Sequence, residues 1–165
     1  MSNESVSVGI FMGSNSDLPI VEESAKILSK FGVSYNLNVL SAHRTPYEVV
    51  RKLEELEKKG VKIFIAAAGM AAHLAGVIAA HTHKPVLGIP LGGGDMNGLD
   101  SLMSTVQMTK GIPVATFAIG KSGAINAALC AVQILSLSDS NLSEKFNQFR
   151  NDQTEEVIQI NSKIN

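Results

Sequence analysis

Apolar residues in this chain come in short runs separated by amphipathic stretches of helical length. Residues 6–12 form the first run, closed by Gly13-Ser14-Asn15-Ser16-Asp17. A helix is expected next, with Ser16 or Asp17 as N-cap, Pro19 tolerated in the first turn, and Val21, Ala25 and Leu28 on the inner face. Gly32 is its natural stop. Residues 35–40 alternate as a half-buried strand does and run into Ser41-Ala42-His43-Arg44-Thr45-Pro46. Thr45 and Glu48 have the spacing of a capping box, with Pro46 at the first position of a helix that ends at Lys59-Gly60. Residues 61–68 are apolar nearly throughout, as a strand buried on both faces must be. They lead through Gly69-Met70-Ala71-Ala72-His73-Leu74 into a third helix. Strands over 85–91 and 113–119 and helices over 99–108 and 120–137 continue the alternation. The tail, 139–163, reads as an amphipathic helix with Leu142, Phe146, Phe149 and Val157 on one stripe.

Strands that alternate with helices, each strand almost wholly apolar, imply a parallel sheet covered on both faces. The expected fold is α/β: a three-layer α/β/α sandwich on a five-stranded parallel sheet, flavodoxin-like, with order 2-1-3-4-5. No linker or repeat interrupts it, so residues 1–165 read as one domain with a core of about 6–137. The 165 residues are 45% hydrophobic, enough for a core of that size. Fourteen basic against fifteen acidic side chains leave a net charge of -1, which argues against a nucleic-acid or anionic-membrane partner. No apolar run approaches the roughly 18 residues of a membrane span. Met1-Ser2-Asn3-Glu4 lacks the basic start of a signal peptide, and the single cysteine fits a reducing compartment. A cytoplasmic protein is expected. Low charge with high apolar content further suggests that the chain buries surface against copies of itself.

In this architecture ligands bind beyond the carboxyl ends of the strands, where the strand order reverses. The polar residues gather at those ends. Ser14 and Ser16 offer hydroxyls at a helix start, a ready anion site, while Asp17 would resist a phosphate unless it met a neighbouring hydroxyl such as that of a ribose. The same loop reads equally well as an N-cap cluster. Ser41 and the forked donors of Arg44 strengthen the anion reading. His43, beside that arginine, is the candidate acid/base, because imidazole can do both near neutral pH. His73, at the start of the third helix, reads either as a donor to a ligand or as a packed histidine. His81-Thr82-His83 lacks a third ligand at metal spacing. Cys130 sits in an apolar helix and reads as core. Gly120-Lys121-Ser122-Gly123 lacks the spacing of a phosphate loop and reads as a turn and N-cap. One glycine in the first turn and no acid closing the second strand disfavour a dinucleotide. The absence of tryptophan disfavours a flavin. A small phosphorylated, nucleoside-like ligand remains.

At these residues the chain closely resembles the class I N5-carboxyaminoimidazole ribonucleotide mutases of bacterial purine biosynthesis. The resemblance rests on Gly13-Ser14-Asn15-Ser16-Asp17, Ser41-Ala42-His43-Arg44-Thr45-Pro46 and Ala68-Gly69-Met70-Ala71-Ala72-His73-Leu74. Leu99-Asp100-Ser101-Leu102, Val106-Gln107-Met108 and Asn126-Ala127-Ala128-Leu129 extend it, from about residue 6 to 137. The related carboxylases that take carbon dioxide directly carry Lys in place of Arg44 and lack the Ala-Ala-His-Leu stretch. Ala75 and Thr109 stand where many members have Pro, and the Gly92 to Gly94 run reads as unusually flexible. The resemblance implies a single catalytic domain with a helical tail, forming a homo-octamer without metal or organic cofactor. It implies that Ser14, Asp17 and Arg44 bind the ribonucleotide, Arg44 with Ser16 and Ser41 at the 5′-phosphate and Asp17 at the ribose. His43 would be the general acid/base, and Gly69, Met70, Ala71, His73 and Leu74 would line a small, closed pocket for base and carboxylate. Direct carboxylation and a non-catalytic flavodoxin-like binding module are the alternatives.

Overall fold

A computed structural model describes residues 6–164. Five parallel strands form one sheet in the order β2-β1-β3-β4-β5, with β1 over Val8–Met12, β2 over Tyr35–Val39, β3 over Ile63–Gly69, β4 over Val86–Leu91 and β5 over Ala115–Thr116. Each strand feeds a helix: α1 (Leu18–Phe31), α2 (Pro46–Lys58), α3 (Leu74–His81), α4 (Leu99–Val106) and α5 (Lys121–Ser136), followed by the tail helix α6 (Ser140–Ile164). The result is the expected three-layer, flavodoxin-like sandwich. β1, β3 and β4 are apolar through most of their length because both their faces are covered. On one face Val8, Ile10 and Met12 meet α1 and α5; on the other Phe11, Phe64 and Ala66 meet α2 and α3.

Asp17, one of the two residues expected there, takes the N-cap position of α1, without a side-chain cap bond, and ahead of it Ser14, in extended conformation, caps a short 3-10 turn over Asn15–Asp17. Other local expectations are corrected. Ser24, not Ala25, is fully buried on α1; its hydroxyl donates to the carbonyl of Ala124 at 2.7 Å, which satisfies a polar group in the core. The Thr45–Glu48 capping box does not form, because Thr45 Oγ1 is engaged by Ser41 and Glu48 pairs with Arg51. β5 is two residues long rather than seven. Pro113 precedes it and Pro90 stands on the facing strand, and neither has an amide hydrogen to extend a ladder.

The tail departs furthest from expectation. Leu142 is buried, and Phe146 and Phe149 stack on Phe31 with centroids 5.9 and 5.6 Å away. Beyond Arg150 the helix leaves the body, and Val157, expected on the packed stripe, is 66% exposed. The apolar stripe continues past the end of the layer it packs on. Among the described residues no helix is long and apolar enough to cross a membrane.

Candidate active site

Order 2-1-3 places the loops after β1, β2 and β3 side by side at the carboxyl edge of the sheet. They surround a cavity of about 540 Å³, roomy enough for a small ligand.

The first wall is the turn after β1. Ser14 Oγ accepts the amide of Ser16 at 3.3 Å, while the Ser14 amide donates to Asp17 Oδ2 at 3.0 Å. Ser16 Oγ lies 2.9 Å from Ser14 Oγ. Burial raises the Asp17 carboxyl above its ordinary range; the Ser14 amide, the Ser16 hydroxyl and the Arg44 charge oppose that effect. The carboxylate therefore already holds one backbone partner and faces the cavity with its remaining acceptor capacity.

The second wall is a tight turn. The Ser41 amide donates to Thr45 Oγ1 at 2.8 Å, and Thr45 Oγ1 donates back to the Ser41 carbonyl at 3.1 Å. Ser41 Oγ accepts the amides of His43 and Arg44 at 3.3 and 3.2 Å. Its oxygen is thus committed to shaping the turn, leaving its O–H for a ligand. The turn projects His43 and Arg44 together, and Arg44 Nη2 donates to the Gly13 carbonyl at 2.5 Å. That bond ties the second loop to the first and fixes the guanidinium beside the serine cluster.

Gly69 to Leu74 form the third wall. Met70 adopts a left-handed backbone at φ 55 and is 63% exposed, an uncommon state for a side-chain-bearing residue. Ala72 and Leu74 are buried under the cavity floor, whereas Ala71 and His73 reach its open side. His73 takes the N-cap position of α3 without capping it. Instead its Nδ1 lies 2.7 Å from His43 Nε2, a hydrogen bond between residues 30 apart in the chain. Adjacent strands lie about 4.8 Å apart, so the parent strands β2 and β3 are separated by roughly 10 Å, and the two side chains bridge over the end of β1.

Every residue expected to bind the ligand or act on it lines this one cavity. The sequence did not reveal the His43–His73 bond, the Arg44–Gly13 tie or the place of Gly92 to Gly94 on the rim. The signal for the histidine pair was the strand order, which sets the loops after β2 and β3 on either side of β1. The expected closed pocket is open in the single chain, with His43, Arg44, Met70, Ala71 and His73 all exposed at its mouth.

His81, His83 and Cys130 lie at the other end of the sheet, around a second cleft of about 800 Å³. Among the described residues no three His, Cys, Asp or Glu side chains gather as a metal site. Lys121 pairs with Glu23 at 3.3 Å behind the Gly120 turn, away from the cavity.

A family model described as AIR carboxylase matches residues 7–156, nearly the whole chain. The chain belongs to the AIR carboxylase family. Within this family it is 50% identical over 151 residues to an N5-carboxyaminoimidazole ribonucleotide mutase of Vibrio vulnificus (strain CMCP6), covering 92% of this chain and 94% of that one. It is 49% identical over 155 residues to a phosphoribosylaminoimidazole carboxylase of Candida albicans (strain SC5314), covering 94% of this chain but 27% of that protein. The crystal structure of Treponema denticola PurE superposes with a TM-score of 0.87 at 30% identity, over 94% of this chain and 96% of that chain. The family match therefore reaches into the tail helix, to residue 156.

Proposed function

We propose that this protein is a mutase that converts N5-carboxyaminoimidazole ribonucleotide to 4-carboxy-5-aminoimidazole ribonucleotide in purine biosynthesis. The observation that carries the reading is an imidazole, His43, set beside a guanidinium that Gly13 already aims at a serine-lined anion site. Relatives of about 50% identity bear the mutase name, and Arg44 with Ala71-Ala72-His73-Leu74 has the mutase pattern.

Arg44, Ser16 and Ser41 take the 5′-phosphate through charge-assisted donors. Ser14 completes that loop, and Asp17 accepts from the ribose hydroxyls. Gly69, Met70, Ala71, His73 and Leu74 line the space for the imidazole base and the carboxylate, where small side chains let the backbone approach. The substrate is a carbamate on the exocyclic nitrogen. His43 gives that nitrogen a proton as the N–C bond breaks and carbon dioxide departs. The ring left behind is enamine-like, with a nucleophilic C4 that attacks the retained carbon dioxide. His43 then removes the C4 proton, which restores both the aromatic ring and the catalyst. Proton transfer of this kind supplies roughly 10²–10⁴ in rate, and holding carbon dioxide beside C4 supplies much of the remainder.

The whole chain acts as one catalytic unit in the cytoplasm and assembles as a homo-octamer. Two unpartnered apolar stripes support assembly: Leu99, Met103 and Val106 on α4, and Val157, Ile158, Ile160 and Ile164 on α6. A neighbour would also cover the open cavity mouth, which the retention of carbon dioxide requires.

The test offers the carbamate substrate in buffer with ¹³C-bicarbonate and examines the 4-carboxy product. Product without label is expected. Extensive labelling, after correction for spontaneous breakdown, would turn the reading to direct carboxylation, and no product would leave only a binding module.

A further inference from the structure

The hydrogen bond between His43 Nε2 and His73 Nδ1 spans 2.7 Å, and the two rings meet edge to face, with centroids 4.8 Å apart at 79°. A neutral imidazole has one N–H and one lone pair, whereas a protonated one has two N–H groups and no lone pair. His43 must pass through both states in each turnover, because it gives a proton to nitrogen and later takes one from C4. While protonated it can only donate in this bond, so His73 Nδ1 must then be the acceptor. A bond kept unchanged through both states therefore runs from His43 to His73.

We infer that His73 is a positioning residue that fixes the tautomer of His43: it accepts the Nε2–H permanently and leaves Nδ1 as the nitrogen that exchanges the proton with substrate. The inference rests on the mutase reading and gives the second histidine a task that lining the cavity does not. The proton balance closes. Protonated His43 loses its Nδ1 proton to the exocyclic nitrogen as the N–C bond electrons pass to that nitrogen. Neutral His43 then keeps Nε2–H in the bond to His73 and holds a lone pair on Nδ1. That lone pair takes the C4 proton after carbon–carbon bond formation, and the C–H electrons return to the ring. His73 keeps its own Nε2–H throughout and gains or loses nothing. Without His73 the neutral ring is free to carry its proton on Nδ1 instead, in which form it offers no base to C4.

Two substitutions separate this role from simple packing. In His73→Asn the amide oxygen stands near the place of Nδ1 and can still accept; in His73→Leu nothing accepts. Expected are a kcat loss of roughly 10²-fold or more in His73→Leu, with KM within about threefold of the parent, and a kcat within about tenfold of the parent in His73→Asn. Nitrogen-15 NMR of the imidazoles supplies a readout independent of activity. His43 is expected to show a protonated Nε2 and an unprotonated Nδ1 in the neutral parent enzyme, and a mixture of tautomers in His73→Leu. Equal turnover in the parent and both variants would overturn the inference, as would equal loss in both, since that would assign His73 a proton-carrying role that an amide cannot fill. A parent enzyme that is inactive on the carbamate but shows the fixed tautomer would defeat the mutase reading and leave the tautomer assignment standing.

Discussion

In the proposed reaction His43 and Arg44, adjacent in the chain, carry separable duties, and substitution is expected to part them. His43→Asn removes the acid/base and leaves the anion site intact, so kcat falls by roughly 10²–10⁴ while substrate binding persists. Arg44→Ala removes a charged donor worth about 1.5–3 kcal/mol, which corresponds to a KM raised by roughly 10- to 100-fold with less change in kcat. Steady-state kinetics on the two variants checks both, and a reversed pattern would exchange their roles. Asp17 gives a different kind of test. Its carboxyl lies above the ordinary 3.8 in the folded chain because burial opposes ionisation. A raised value means that its stabilising contribution is present at pH below 3.8 and is lost as pH climbs through the folded value. Asp17→Asn is therefore expected to match the parent in melting temperature near pH 3.5 and exceed it near pH 7, since the amide oxygen still accepts from the Ser14 amide. Under the proposed function the same variant is expected to bind substrate more weakly, for want of a charged acceptor at the ribose. An unchanged difference in melting temperature between the two pH values would contradict the burial effect.

Among the elements, β4 and α4 fit closely. A Cβ on Gly88 would stand 2.6 Å from Thr105 Cγ2 and 2.9 Å from Val114 Cγ1, so this strand has no room for even one methyl on that face. Gly88→Ala is expected to cost about 1–3 kcal/mol through overpacking. Because the residue lies away from the cavity, KM is expected to hold; denaturant unfolding and kinetics on one preparation check both. Which elements the chain would form was largely legible, because β1, β3 and β4 are apolar over most of their length and the helices between them are punctuated by Gly32 and Gly60. Cap chemistry was less legible. Spacing places Thr45 and Glu48 as a box, but it cannot tell that Ser41 competes for the threonine hydroxyl. At the site, residue types showed which side chains gather, while Arg44 on Gly13 and His43 on His73 depend on loop paths that no local pattern encodes.

At the scale of the whole molecule, the outer half of α6 makes no demand on the fold that carries it. Val157 and Ile160 are exposed, so Val157→Asp with Ile160→Asp is expected to leave the circular dichroism spectrum of the protein unchanged. The same pair is expected to reduce the mass seen by light scattering from that of the proposed octamer to that of smaller assemblies, since charges in an apolar contact are costly to bury. An octamer of unchanged mass would shift the contact to the α4 stripe of Leu99, Met103 and Val106. The tail's outward course was not legible in the chain, because a helical stripe looks the same whether its cover comes from within or from another copy.

The two histidines stand on opposite sides of β1, so their bond holds only while that strand keeps both of its neighbours. Heat that loosens the middle of the sheet is then expected to silence the enzyme before the helices report any loss. Turnover becomes a gauge of one strand's grip, read in the chemistry rather than in the spectrum.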